Sequence, residues 1–214
     1  EAAKQFKRVL DRAYKQEREG TEAQKRRSAS LREEALEYLV VVFTEDRSIS
    51  PKEVFDFLVS IDGEQYSRDV MVKVAESYAA QAEWERSSDA YRFLIRMDPE
   101  ALKSAEFQRS IITNWNSALD IEKAQEEIGV LLTNFGPNTA WAKAQRNRDA
   151  LQRSLETTED LVRVTAMNMH AEAQRRDKAD KKADINLYTR AATEYEGYLA
   201  AFGVGKTATE KSTE

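Results

Sequence analysis

Apolar residues recur at steps of three and four along most of the chain, which is the spacing of one face of an α-helix. The stretch 68–101 shows this most clearly, because it predicts two amphipathic helices within 34 residues. The first places Val70, Val74 and Tyr78 at steps of four, and the second ends before Pro99, where proline cannot continue a helix. Since only a short segment separates them, the two helices are predicted to fold back on each other as a hairpin.

The same spacing predicts about ten helices and no sheet, because no segment alternates apolar and polar residues between turn signals. The strongest helix start is Ser50-Pro51-Lys52-Glu53, in which Ser50 can cap the helix and Glu53 can complete a capping box. The predicted fold class is therefore all-α. The predicted helices cover approximately residues 2–19, 25–43, 51–61, 68–80, 84–98, 102–115, 120–135, 139–155, 159–176 and 184–202.

The hairpin over 68–101 resembles a tetratricopeptide repeat (TPR), which is also 34 residues long. Its matching positions, two of them the consensus residue itself, are Met71, Val74, Ala75, Tyr78, Ser87, Tyr91, Leu94 and Pro99. Phe57 lies 34 residues before Tyr91, one full period upstream, so residues 31–63 are predicted to form a second, weaker hairpin. Ile128 and Tyr195 occupy the equivalent position in later units with looser spacing.

This resemblance implies a right-handed α-solenoid of TPR-like helix hairpins, and it covers roughly residues 31–203. Residues 1–203 are expected to form one helical repeat domain, stabilised by stacking of neighbouring hairpins. Residues 204–214 are polar and have nothing to bury, so a disordered tail is expected there.

In TPR proteins the first helix of each hairpin lines a concave wall, and this wall usually binds a peptide or another protein. Projecting the spacing of the repeat onto that wall gives Lys73, Glu76 and Arg109 as candidate partner-binding residues. Trp115 is a further candidate anchor, since buried Trp residues dominate many interfaces, although packing in the core is the favoured role for it.

The composition of the chain disfavours or excludes several classes of partner and of chemistry. The formal net charge of −5 disfavours nucleic acid as the main partner, and the absence of cysteine excludes disulfides and thiol chemistry. No apolar run approaches the roughly 18 residues of a membrane helix, so direct membrane insertion is not expected. The chain begins at Glu1 rather than at a methionine, so a targeting signal or a membrane anchor could lie outside it.

No motif in the sequence favours catalysis, a cofactor or a metal. The segment 200–207 fits a permissive phosphate-loop pattern, but a phosphate loop follows a strand and opens a helix, whereas a predicted helix precedes this one and a polar tail follows it. His170 is the only histidine, and no second His or Cys is present to complete a helical zinc site. A structural role is favoured for His170, and the chain is expected not to be an enzyme.

Three segments, at 90–99, 122–137 and 195–203, are similar to second-helix segments of bacterial cell-envelope TPR proteins from outer-membrane assembly, envelope-integrity and gliding-motility systems. This similarity implies a periplasmic or outer-membrane-associated adaptor that binds a protein or peptide in its concave groove. One alternative is a cytoplasmic helical chaperone or regulator. An exposed apolar groove would favour this alternative, whereas a charged groove would favour a specific adaptor. Another is the regulatory domain of a larger enzyme.

Overall fold

The computed structural model describes residues 2–45, 48–180 and 184–203, and over these ranges the chain is all-helical, without a strand. The predicted all-α class is therefore confirmed. The predicted tail at 204–214 lies outside the described residues. The helices in the described ranges are α1 (Ala2–Glu19), α2 (Glu22–Glu45), α3 (Pro51–Ser60), α4 (Glu64–Ala80), α5 (Trp84–Met97), α6 (Leu102–Ser117), α7 (Ile121–Phe135), α8 (Ala140–Ala144), α9 (Arg148–Asp180) and α10 (Ile185–Phe202).

The chain divides into two compact units. Unit 1 is Glu1–Met97 and contains α1 to α5, and unit 2 is Asp98–Glu214 and contains α6 to α10. Each unit is built from helix pairs that follow one another in sequence and bury their apolar faces against each other. The single repeat domain expected over residues 1–203 stays a prediction.

In unit 1, α1 pairs with α2 and α4 pairs with α5, while α3 packs against both helices of the second pair. The predicted hairpin over 68–101 is confirmed as α4 and α5, although α4 begins at Glu64. The largest side chains of this core, all less than 2% exposed, are Leu10, Leu39, Val54, Leu58, Tyr66, Met71, Tyr78 and Leu94.

The predicted hairpin over residues 31–63 is wrong. Helix α2 packs mainly against α1 and α4, and it meets α3 through the rings of Phe43 and Phe57, whose centroids are 5.6 Å apart. The buried stripe of α2, which includes Ala35 and Leu39, is covered mainly by these two helices and not by α3. The 34-residue spacing between Phe57 and Tyr91 does not indicate that α2 pairs with α1.

The start of α3 follows the predicted capping box. The side chain of Ser50 accepts a hydrogen bond from the backbone N–H of Glu53, and the Glu53 carboxylate accepts one from the backbone N–H of Ser50. Pro51 lies in the first turn, where its missing N–H costs no hydrogen bond.

Three helices end in the same kind of turn, with one residue in the left-handed region just after the last helical turn. These residues are Asp62, Ala82 and Leu119, with φ of 57°, 58° and 59°. In each case the N–H of the following residue bonds to a carbonyl five positions back, for example from Asp120 to Trp115 at 3.0 Å. This is the Schellman arrangement, and each turn leads directly into the next helix.

In unit 2, α6 pairs with α7 and α9 pairs with α10. Helix α6 also packs against α9, and α7 against α10. Large fully buried side chains in this core include Ile111, Ile112, Ile128 and Leu131.

One predicted boundary in unit 2 is wrong. A break was expected between residues 155 and 159, whereas α9 continues through this segment for 33 residues. The hydroxyls of Thr157 and Thr158 donate to the carbonyls of Arg153 and Ser154, both at 2.9 Å, so the two threonines are accommodated inside the helix.

The chain breaks earlier instead, between α8 and α9. Thr139 caps α8, but this helix ends at Ala144. The side-chain oxygen of Asn147 then accepts a hydrogen bond from the N–H of Ala150 at 3.0 Å, which caps the start of α9. Trp141 anchors α8, because its ring N–H donates to the carbonyl of Ala101 at 3.0 Å.

Candidate functional site

The structure places the four predicted partner-binding residues in different settings. Lys73 and Glu76 lie on α4 in unit 1, whereas Arg109 and Trp115 lie on α6 in unit 2. Glu76 is exposed, and the ammonium of Lys73 pairs with the carboxylate of Glu33 on α2. A role in partner binding stays a prediction for this pair.

Arg109 connects two helices of unit 2. Its guanidinium donates to the backbone and side-chain oxygens of Ser154, both at 3.1 Å, and to the hydroxyl of Thr158 at 2.9 Å. Burial lowers the pKa of Arg109 from its ordinary value, but a guanidinium stays charged at neutral pH. All three contacts are made by the Nη1 atom, and they hold α6 against α9.

Trp115 is packed in the core of unit 2, with only 4% of its surface exposed. The ammonium of Lys123 lies 4.0 Å from the centroid of its ring, which is a favourable cation–π distance. Little of the ring is left for a partner, so its position agrees with the core-packing role.

His170 lies half-buried between α9 and α10. The rings of Tyr188 and Tyr195 approach it edge-on, each with a centroid distance of 6.0 Å, and Gln174 lies 3.2 Å from its Nε2 atom. Within the described ranges, no group of three or more His, Cys, Asp or Glu side chains could hold a metal ion. The phosphate-loop-like segment 200–207 extends beyond the described residues.

An open groove in unit 2 is the surface that the sequence did not reveal. It has a volume of 490 Å³ and lies between the α6–α7 turn and α9. Its apolar lining residues are Leu119, Ile121, Leu161, Val164 and Met169. We call this surface the turn groove.

Leu119 is the most exposed large apolar side chain of the turn groove. Its exposed fraction is 84%, and that of Val164 across the groove is 39%. With φ at 59°, Leu119 adopts a conformation that costs a residue with a Cβ atom about 1–2 kcal/mol, and glycine usually occupies such a position. An apolar side chain that is both strained and exposed contributes little to folding.

The charges at one end of the turn groove are paired with each other. Glu172 accepts hydrogen bonds from Arg175 at 2.6 Å and from Arg176 at 2.9 Å, and these guanidinium groups lower the pKa of Glu172 to about 2. Arg176 also contacts Asp184 at 3.4 Å. The paired charges give the apolar groove a polar end, so it combines an apolar centre with a polar rim.

No protein-family model, no curated protein and no solved structure matches this chain. None of the helices in the described ranges is long and apolar enough to cross a membrane.

The only sequence signal for the turn groove is the position of Leu119. A leucine stands directly before Asp120, the residue that caps α7, at a point where a turn residue is expected to be polar or glycine. Apart from Asn116 and Ile121, the remaining lining residues come from α9, more than 40 residues after Leu119, and no local pattern links the two segments.

Proposed function

We propose that this protein is a non-enzymatic interaction scaffold that binds a protein or peptide partner. The observation that carries the proposal is the turn groove, in which the exposed Leu119 and Val164 form an apolar surface beside paired charges. Interfaces of this type place apolar anchors at the centre and polar groups around them.

The arrangement proposed for the chain is a right-handed solenoid of TPR-like hairpins. The sequential helix pairs within each unit, such as α4 with α5 and α6 with α7, support this proposal. The similarity of three helix segments to bacterial cell-envelope TPR proteins supports an adaptor in the periplasm or at the outer membrane. Neither the solenoid nor the compartment is needed for the turn groove to bind a partner.

The second candidate function is a cytoplasmic chaperone or regulator that holds its client transiently. The apolar lining of the turn groove favours this alternative, whereas its ion-paired end favours an adaptor with one specific partner. The regulatory domain of a larger enzyme is the third candidate, and nothing in the described residues favours it specifically.

Photo-crosslinking tests the proposal and separates these candidates. A photoreactive amino acid replaces Leu119 in the native host, and a matched probe replaces Leu199, which is 55% exposed on α10 but does not line the groove. An adaptor gives one discrete adduct from position 119 that is absent from position 199. A chaperone gives many weak adducts, and equal labelling from both positions would contradict binding in the turn groove.

A further inference from the structure

A second groove lies in unit 1, between α1 and α2, and has a volume of 820 Å³. Its floor is apolar and includes Phe6, Val9, Ala13 and Leu31. Val9 is 39% exposed and Leu31 is 49% exposed, so the packing of α1 on α2 leaves part of this floor uncovered. None of its lining residues belongs to the turn groove.

The rim of this groove carries a positive charge that the described part of the chain does not neutralise. Arg8, Arg12 and Arg27 line it, and the described lining residues include no Asp or Glu. Among the described residues, Arg12 and Arg27 have no hydrogen-bond or ion-pair partner, and Arg8 contacts only Gln5, at 3.4 Å. All three arginines are exposed.

Several other arginines of unit 1 are paired with carboxylates. Arg32 contacts Glu17 at 3.3 Å, and Arg86 contacts Glu83 at 2.8 Å. The whole chain has a net charge of −5, whereas the described lining of this groove carries three arginines and no carboxylate. Unpaired arginines around an apolar floor are complementary to a ligand that carries both apolar and acidic groups.

The dimensions of the groove fit a short helix. Its lining on α1 extends from Gln5 to Gln16, which is about 17 Å at 1.5 Å per residue, or three helical turns. A partner helix with apolar residues at i, i+3, i+4 and i+7 would cover the floor, and Asp or Glu beside that stripe would meet the arginines. A nucleic acid leaves the apolar floor unused, and a flat lipid surface does not enter a concave groove.

We propose that the α1–α2 groove binds an acidic amphipathic helix of a partner protein. This inference does not rest on the turn groove, and either site can fail without the other. The salt dependence of binding follows from the charges: affinity falls as ionic strength rises, because exposed pairs are screened over about 8–10 Å at 0.10–0.15 M salt.

The test uses the full chain and a displayed library of random 14-residue peptides. Peptides enriched on the wild type are expected to share apolar residues at helical spacing flanked by Asp or Glu. Their affinities are then measured by fluorescence anisotropy for the wild type and for the double variant Arg12→Glu and Arg27→Glu. We expect the double variant to bind about tenfold more weakly or worse, because two attractive charge contacts become repulsive.

The matched control reverses two exposed arginines outside the groove, with the variant Arg18→Glu and Arg26→Glu. It makes the same change in net charge, and its affinity should stay within about twofold of the wild type if the contacts are local. A milder pair, Arg12→Gln and Arg27→Gln, keeps the test valid if charge reversal disturbs folding, which circular dichroism reports.

Three results would overturn the inference. The first is a library that yields no peptide dependent on Arg12 and Arg27. The second is equal loss of affinity in the groove variant and its control, which would mean non-specific attraction by net charge. The third is binding of phosphatidylglycerol vesicles or of a 20-base-pair DNA, lost in the groove variant, without an enriched acidic peptide.

Discussion

At the scale of single residues, we expect the polar groups buried in each unit to change the free energy of unfolding. Glu194 on α10 is only 5% exposed, and burial raises its pKa to about 7 from an ordinary value of about 4.5. At a pH between these two pKa values, Glu194 keeps its proton in the folded protein and releases it in the unfolded chain. The free energy of unfolding therefore falls as pH rises from about 4.5 to 7, and the full penalty of burying the carboxylate applies above pH 7.

The variant Glu194→Gln should remove this pH dependence, since glutamine is similar in shape and does not ionise. At pH 8 we expect the variant to be more stable than the wild type by on the order of 3 kcal/mol, and near pH 4 we expect little difference. Urea unfolding at a series of pH values measures this. Glu196→Gln, at an exposed position on the same helix, is the control, and parallel curves for Glu194→Gln and the wild type would contradict the account.

Two buried tyrosines in unit 1 form a second matched pair. Tyr66 is fully buried, and its hydroxyl has no hydrogen-bond partner among the described residues. The hydroxyl of Tyr78 accepts a hydrogen bond from Arg86 at 2.8 Å, and the guanidinium lies 4.1 Å from the centroid of its ring.

Tyr66→Phe should leave stability unchanged or raise it by up to about 1 kcal/mol, because it removes a buried polar group without a partner. Tyr78→Phe should cost about 1 kcal/mol, because it leaves the Arg86 donor without its acceptor. Urea unfolding of both variants against the wild type checks this difference. Equal losses in the two variants would mean that the Tyr66 hydroxyl is satisfied by an ordered water.

At the scale of elements, some helix ends can be predicted from the residues next to them and others cannot. The helix start at Ser50 was predictable, because a capping box is a local pattern of residues at fixed spacing. The left-handed turns at Asp62, Ala82 and Leu119 were not, because none of these residues is glycine and each turn depends on the next helix packing back. The break placed near Thr158 failed because its hydroxyl can bond inside a helix.

Leu119 allows the cost of such a turn to be measured. Leu119→Gly relieves the left-handed conformation, whereas Leu119→Ala keeps the Cβ atom and the strain, and both remove the same exposed apolar side chain. We expect the glycine variant to be more stable than the alanine variant by about 0.5–1 kcal/mol, because the relief exceeds the added freedom of the unfolded chain. A glycine variant less stable than the alanine variant in thermal unfolding would show that the turn is not strained.

At the scale of the whole molecule, the sequence predicts helices well and surfaces poorly. Periodicity finds apolar stripes, and most of them are buried: Val70, Val74 and Tyr78 all lie in the core of unit 1. Whether a polar side chain on the other face of a helix is free to bind a partner depends on the helix packed beside it. Arg109 illustrates this, because its guanidinium already donates hydrogen bonds to Ser154 and Thr158 on α9. The turn groove depends on contacts between distant segments, so no local pattern predicts it.

The length of α9 also limits the repeat interpretation. At 33 residues it is about 50 Å long, and one helix replaces the two that a regular array of 34-residue hairpins would contain. Whatever the arrangement of the hairpins, the proposed binding by unit 2 rests on the surface between α9 and the α6–α7 turn.

The affinity of the crosslinked partner for unit-2 variants of the full chain tests the central claim most directly. Val164→Asp places a charge in the turn groove, and Val130→Asp places the same charge on α7 outside it, at a residue with nearly the same exposure, 40% against 39%. In isothermal titration, we expect Val164→Asp to weaken binding by about tenfold or more, because it buries a charge in an apolar interface, and Val130→Asp to leave it unchanged. Equal affinities for the two variants would contradict the claim that this protein binds its partner through the turn groove.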